Sequence, residues 1–489
     1  MSKISYTLTD EAPYLATASF HPILTRFLST TFPGGVQLCD IGIAARVIAT
    51  FSDLLPPSQR LPDELSELGK LAKTPEANII KLPNVSASVP QLKSVIFELQ
   101  SKGIEVPDYP ENPTTLQELA VFKRYSSVLG SAVNPVLREG NSDRRAAAPV
   151  KRYAQAHPHR LSEWDTRASK TRVVSMESGD FYGSELSVVI ERATNVRIEL
   201  ISSSDKATDN AATIVLKDSI PVLANEVLDS AYLSCSSLCS FFAAQLSFAK
   251  RSHLLFSLHL KATMMKVSDP IIFGHCVKVF FKDVFSKHSR LFGELGVNPN
   301  LGVSDLLNKV SSLPDKKLSS SIKRDIDRCY SSSCNPHLAM VNCDKGITNL
   351  HVPSDVIVDA SMPVVIRDGG KMWNARNSLV DTLAVIPDRS YSGIYQETVE
   401  DCQRNGRFDV RTMGHVSNVG LMAKKAEEYG SHNNTFKVPN AGTVRVVDCN
   451  SGEVLMQHDA VGEGDVWRMC QAKDVAIRDW VRLAVERAR

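Results

Sequence analysis

Near the start of the chain three short apolar runs, Ile4 to Leu8, Val36 to Ile41 and Asn78 to Leu82, each lead into an amphipathic stretch of helical period. Strands alternating with helices predict a parallel α/β arrangement, because parallel neighbours need a crossover and the crossover helix covers the sheet. A polar, proline-bearing stretch, Val106 to Leu116, interrupts the pattern, and the charged run REGNSDRR, Arg138 to Arg145, ends it. At 489 residues the chain is longer than one hydrophobic core usually serves. Two or more domains are therefore expected, with the first boundary just after that run, giving residues 1–147 and 148–489.

Beyond the boundary the text is mixed, with His157 and His159 close together and a GDFYGSE segment at Gly179 to Glu185. Leu233 to Ala249 reads as a buried helix, since serines and Gln245 break an otherwise apolar run too polar to span a membrane. His253 to Leu260 has strand character and ends at Lys261, Pro270 to Phe292 has a helical pattern, and Val356 to Val358 reads as a short buried strand ending at Asp359. Charged residues at strand ends matter because open α/β sheets bind ligands there. Val475 to Arg489 places Ile477, Trp480, Val481, Ala484, Val485 and Ala488 on one helical face.

Lys plus Arg number 56 against 54 Asp plus Glu, so no net field draws the molecule to nucleic acid or to an anionic membrane, and any anion site must be local. The acidic opening MSKISYTLTDEAP is unlike a signal or transit peptide, and a cytosolic protein is expected. Ten scattered cysteines without a C-x-x-C pair predict reduced, mostly buried thiols.

Five strings could carry chemistry. In GSAVNPVLREGNSDRR, a helix beginning near Asn134 puts Asn134 and Arg138 on one face, with Ser131 near the N-cap and Arg144 and Arg145 arriving from the loop beyond. Forked guanidinium groups pair bidentately with carboxylates, so the stretch suits a small polycarboxylate; a solvated loop tying two domains together is the competing reading. PNVSASVPQ sets Asn84, Ser86 and Ser88 in a strand-to-helix turn, either a plain cap or a set of donors for phosphate or carboxylate. Lys261, closing an apolar strand, is a candidate base, or a lysine that snorkels or pairs with a carboxylate. Asp355 and Asp359 bracket a β-branched triplet, where a carboxylate can ligate Mg²⁺ or Mn²⁺ or cap a helix. EEYGSHNNTF holds Tyr429 and His432 in what is either a surface turn or a proton-donating site.

Together with YTLTDEAP, GDFYGSE, DKGITNLHVPSDVIVDASMP and WRMCQAKD, these strings resemble the monomeric NADP-dependent isocitrate dehydrogenases, in that family's order and over essentially the whole chain. The resemblance implies an isocitrate/isopropylmalate dehydrogenase-like α/β fold, with a Rossmann-like large domain and a second α/β domain. It implies that Ser131, Asn134, Arg138 and Arg144 hold the carboxylates of isocitrate, that Asn84 and Ser86 lie against NADP, and that Asp359 binds Mg²⁺ or Mn²⁺. Lys261 and Tyr429 match the catalytic pair: the lysine removes the hydroxyl proton as hydride leaves to NADP, and the tyrosine protonates the carbon after CO₂ is lost. Members of that family are monomers that continue past the position of Arg489 with further ligands. The chain alone is therefore expected to show little or no turnover, either joining a missing C-terminal segment or persisting as an inactive remnant that binds a polycarboxylate or a partner.

Overall fold

A computed structural model describes residues 4–9, 13–28, 35–72, 74, 77–80, 89–110, 113, 115–129, 152–153, 156–157, 161–202, 213–261, 265, 267–409 and 434–472. These residues form two compact units, one drawn from within Met1–Ala146 and the other from within Ala147–His415 and Tyr429–Ile477. The expected junction after residue 147 and the expected helix over Val475 to Arg489 lie outside the described residues.

The first unit contains strands β1 (Ile4–Leu8), β2 (Val36–Asp40) and β3 (Ile79–Ile80) and helices α1 (Pro13–Leu28), α2 (Ile43–Thr50), α3 (Glu64–Leu71), α4 (Val89–Ser101) and α5 (Leu116–Ser126). The strands form a parallel sheet in the order β2-β1-β3, with Ile4 opposite Val36 and Leu8 opposite Asp40. Val47, Phe51, Leu92, Ile96 and Tyr125 make the main helical core. Pro90 occupies the first turn of α4, where a missing N–H costs nothing. Thr115 and Glu118 close a reciprocal capping box that starts α5 at the end of the proline-bearing loop.

The second unit holds the remaining strands. They are β4 (Arg172–Val174), β5 (Leu186–Val189), β6 (Thr194–Ser202), β7 (Thr213–Val222), β8 (Val227–Leu233), β9 (Leu255–Leu258), β10 (Met340–Asn342) and β11 (Ile347–Thr348), then β12 (Lys371–Trp373), β13 (Leu379–Val385), β14 (Thr435–Lys437), β15 (Gly442–Asp448), β16 (Val454–Val461) and β17 (Val466–Ala472). Its helices are α6 (Phe181–Ser184), α7 (Cys235–Ser252), α8 (Ser268–Phe280), α9 (Lys282–Lys287), α10 (Ser289–Glu294), α11 (Val303–Ser311), α12 (Lys316–Cys329), α13 (Val358–Arg367) and α14 (Arg389–Asn405).

β4, β9 and β13 run parallel in one sheet, to which β12 adds antiparallel to β13. β13 lies between β4 and β9, with Val385 level with both Val174 and Leu258, so the carboxyl ends of the three strands coincide. Alternate side chains enter different cores. Phe256, Leu258, Leu383 and Val385 pack with Phe242, Ile272 and Val277 of α7 and α8, whereas Ala384 and Ile386 pack with Val358, Met362 and Val399 of α13 and α14. A sheet covered on both faces needs apolar strands throughout, which is why the run His253 to Leu260, the source of β9, stood out in the sequence.

Two antiparallel sheets, β14-β17-β8-β5 and β16-β15-β6-β7, enclose a separate core around Ile198, Val446, Trp467 and Met469. The α/β expectation did not foresee them. Two further expectations need correction. The helical pattern from Pro270 to Phe292 is realised as three helices, α8, α9 and α10, broken at Phe281 and His288. Val356 to Val358 is not a strand: a 3₁₀ turn over Pro353–Val356 meets helix α13, and only Ile357 pairs, in a single parallel bridge to Leu260. The β-branched triplet suited one extended residue, after which intrahelical bonds take over. All ten cysteines are free thiols, and no helix among the described residues is long and apolar enough to cross a membrane.

Candidate functional site

Lys261 stands where β9 leaves the sheet. Two main-chain bonds, Leu260 N–H to Val356 O at 2.7 Å and Val358 N–H to Leu260 O at 2.8 Å, draw the start of α13 alongside the strand's end. That approach delivers Asp359, in the first turn of α13, to the lysine. The Lys261 Nζ donates to both carboxylate oxygens at 2.6 Å, joining residues 98 apart in the chain. The lysine is 22% exposed and the aspartate 47%, so the pair is reachable from solvent rather than sealed.

A second pair lies close by in sequence, its imidazole fully buried. His259 Nδ1 is 2.6 Å from Ser361 Oγ, two residues before the lysine and two after the aspartate. Because the Ser361 hydroxyl donates to Ile357 O at 2.8 Å, the imidazole must donate through Nδ1. Burial pushes the His259 pKa down to about 3, so the ring is neutral, and its Nε2 finds no partner among the described residues.

Carboxylates collect at the same edge. Asp388 follows β13; its Oδ1 accepts from Ser390 N–H at 3.1 Å, and its Oδ2, without a hydrogen-bond partner among the described residues, has the Arg468 guanidinium at 3.8 Å. Burial raises its pKa, opposed by that arginine. Asp269, in the first turn of α8, accepts from Ser268 Oγ at 2.9 Å. Burial pushes its pKa up to about 7, against that donor and the nearby Arg468. The Arg468 guanidinium also covers the Phe181 ring at 3.8 Å from its centroid. On the neighbouring segment, burial works against ionised Asp180, but a bidentate pair with Arg389, at 2.9 and 2.6 Å, outweighs it and lowers the pKa.

Of the residues singled out in the sequence, the structure joins Lys261 and Asp359. Ser131, Asn134, Arg138, Arg144, Asn84, Ser86 and Tyr429 lie outside the described residues, as do Arg145 and His432. Asp355 is half-buried in the 3₁₀ turn before α13, with its Oδ2 unpartnered among the described residues. Asp269, Asp388 and Arg468 escaped sequence reasoning, although Arg468 sits in a quoted string, WRMCQAKD. Nothing local marks a carboxylate as buried.

A divalent cation fits the exposed Asp359 carboxylate in kind, since hard ions take oxygen donors, and it would displace the Lys261 ammonium from one or both of those oxygens. Among the described residues no three His, Cys, Asp or Glu side chains cluster as ligands, so Asp359 contributes a single ligand here.

A model of the family described as monomeric isocitrate dehydrogenase matches residues 3–489. Isocitrate dehydrogenase (NADP) 2 of Mycobacterium tuberculosis is 54% identical over 488 residues, covering 99% of this chain and 64% of that protein. Isocitrate dehydrogenase (NADP) of Azotobacter vinelandii is 54% identical over 487 residues, covering 100% of this chain and 64% of that protein. The chain thus spans 64% of the length of these relatives. A crystal structure of isocitrate dehydrogenase from Ostreococcus tauri, in complex with isocitrate and magnesium(II), aligns at 11% identity over 99% of this chain and 80% of that one, with a TM-score of 0.27.

Proposed function

We propose, because the chain belongs to the monomeric isocitrate dehydrogenase family, that it serves the oxidative decarboxylation of isocitrate to 2-oxoglutarate with reduction of NADP. The observation that supports this reading is the 2.6 Å contact between Lys261 and Asp359 at the carboxyl edge of the parallel sheet. It unites a proton-transfer group with a hard-cation ligand where such sheets bind substrates.

Ser131, Asn134, Arg138 and Arg144 grip the carboxylates of isocitrate, the guanidinium groups supplying paired donors in a planar fork. Asn84 and Ser86 lie against NADP. Asp359 is one ligand of a magnesium or manganese ion, which when bound lowers the pKa of the substrate hydroxyl and offsets the negative charge that develops on its oxygen. Lys261, as the free amine, would take the hydroxyl proton, and NADP would be the hydride acceptor. The β-keto acid then loses CO₂, and Tyr429 returns a proton to the carbon left behind.

The test is isocitrate-dependent NADPH formation with Mn²⁺, with isocitrate binding measured by calorimetry beside it, for the protein and for Lys261→Ala. Loss of a proton-transfer group costs about 10²- to 10⁴-fold in kcat with binding largely kept. A protein that neither reduces NADP nor binds isocitrate overturns the reading, as does a Lys261→Ala variant of unchanged kcat.

A further inference from the structure

His259 is fully buried, and nothing in the proposed reaction uses it. An apolar ring would fill the same space without leaving Nε2 unpartnered among the described residues, so the imidazole is kept at a cost. Its Nδ1 gives its proton to Ser361 Oγ at 2.6 Å, a bond that crosses from the end of β9 to α13. The Ser361 hydroxyl donates in turn to the carbonyl of Ile357, the residue that bridges Leu260. His259 N–H is bound to Val385 O at 2.9 Å, so the ring hangs from chain that the sheet holds. Helix α13 needs such a fastening. Its N-cap, Ile357, makes no side-chain cap bond, and Pro363 has no N–H to give to the Asp359 carbonyl one turn earlier. The turn that carries Asp359 lacks that bond and is held from outside at two points. One is the pair of main-chain bonds that Leu260 makes with Val356 and Val358; the other is the His259 ring at Ser361. Asp359 lies between them. Alternation along the extended chain puts His259 and Lys261 on one face, so the ring and the lysine meet the same turn.

We propose that His259 is a positioning residue: donating from Nδ1 to Ser361, it fastens the first turn of α13 to the end of β9 and so sets where the Asp359 carboxylate stands. The catalytic meaning of this clasp rests on the metal-binding role proposed for Asp359, but the clasp itself does not. The Ser361 hydroxyl, already committed to Ile357 O, can only accept from the ring. Ser361→Thr keeps a hydroxyl in place and with it the clasp, whereas Ser361→Ala removes the acceptor.

Two readings follow the clasp without turnover. NMR of the protein labelled with ¹⁵N-histidine reports which ring nitrogen of His259 holds the proton, and amide hydrogen exchange reports Leu260 and Val358, whose bonds join β9 to α13. In the unaltered chain the proton sits on Nδ1. Ser361→Ala raises exchange at both amides about tenfold, and Ser361→Thr stays within about twofold of the unaltered chain. A third reading separates positioning from packing: Mn²⁺ binding in the presence of isocitrate, followed by EPR of the free ion. Ser361→Ala weakens that binding about 10- to 100-fold, and Ser361→Thr restores it.

A His259 proton found on Nε2 of the unaltered chain overturns the proposal without any variant, and so decides it even where Ser361→Ala does not fold. The proposal equally falls if folded Ser361→Ala exchanges Leu260 and Val358 like the unaltered chain, if Ser361→Thr behaves like Ser361→Ala, or if Ser361→Ala binds Mn²⁺ as tightly as an unaltered chain that binds it. A protein that takes up no Mn²⁺ loses the functional reading, and the ring proton and the two amides then decide the clasp by themselves.

Discussion

The antiparallel sheets and the parallel sheet of the second unit treat buried polar groups in opposite ways. In the antiparallel pair, Glu199 is 3% exposed yet is held by Arg445 Nε at 2.7 Å and by Arg197. His458 spends both ring nitrogens, donating from Nε2 to Ser184 O at 2.8 Å and accepting at Nδ1 from Trp467 Nε1 at 3.0 Å. Around the parallel sheet, His259 Nε2, Asn349 Oδ1, Asp355 Oδ2, Asp381 Oδ1 and Asp388 Oδ2 are buried without a hydrogen-bond partner among the described residues. An orphaned group costs on the order of 1–3 kcal/mol, so a region built only to pack avoids it. Within the second unit such atoms gather around one sheet, with a lysine and an aspartate at its carboxyl edge.

The largest expected effect tests the packing side. Trp467→Ala empties the centre of the antiparallel core and strands His458 Nδ1, and should cost about 3–5 kcal/mol in denaturant unfolding. A loss near 1 kcal/mol would mean that this core is not the tightly fitted one.

Glu199→Gln comes next, at about 2 kcal/mol near pH 7, since it breaks a nearly buried carboxylate from two partly exposed arginines. Burial opposes the Glu199 charge, but the arginines win and depress its pKa. Its ionised form therefore stabilises the fold above the ordinary glutamate pKa and ceases to as pH falls through the lower folded value. The gap between Glu199→Gln and the unaltered chain should close in acid.

Asp388→Asn should run the other way, by about 1 kcal/mol. Its folded pKa is raised by burial, so the ionised carboxyl weakens the fold above that value and the penalty vanishes as pH falls to the unfolded pKa. The variant should melt higher than the unaltered chain at pH 8 and equal to it in acid. Matching pH trends for Glu199→Gln and Asp388→Asn would break the contrast between the two regions.

What could be read early was local. β1 and β2 appear where apolar runs with helical sequels were found, and Leu233 to Ala249 became α7 because its apolar positions recur at helical spacing. Lys261 was visible as a charge closing an apolar strand. Asp359 was visible as a carboxylate beside a β-branched triplet, but its element was misread, because strand propensity outweighed the helix that starts at Val358. The antiparallel sheets were missed for a different reason: β17 pairs with β8 across more than two hundred residues, and no short window contains both partners.

Sequence alone determined that the chain is α/β with parallel strands, that its thiols are unpaired, and which lysine and which aspartate to watch, since periodicity, composition and motif are properties of neighbouring residues. Tertiary structure alone decided that Lys261 and Asp359 touch, that Asp388 meets Arg468, and which buried groups go without partners among the described residues. Those outcomes depend on how far water is excluded and on which distant segment arrives to replace it, and neither is written in any one stretch of chain.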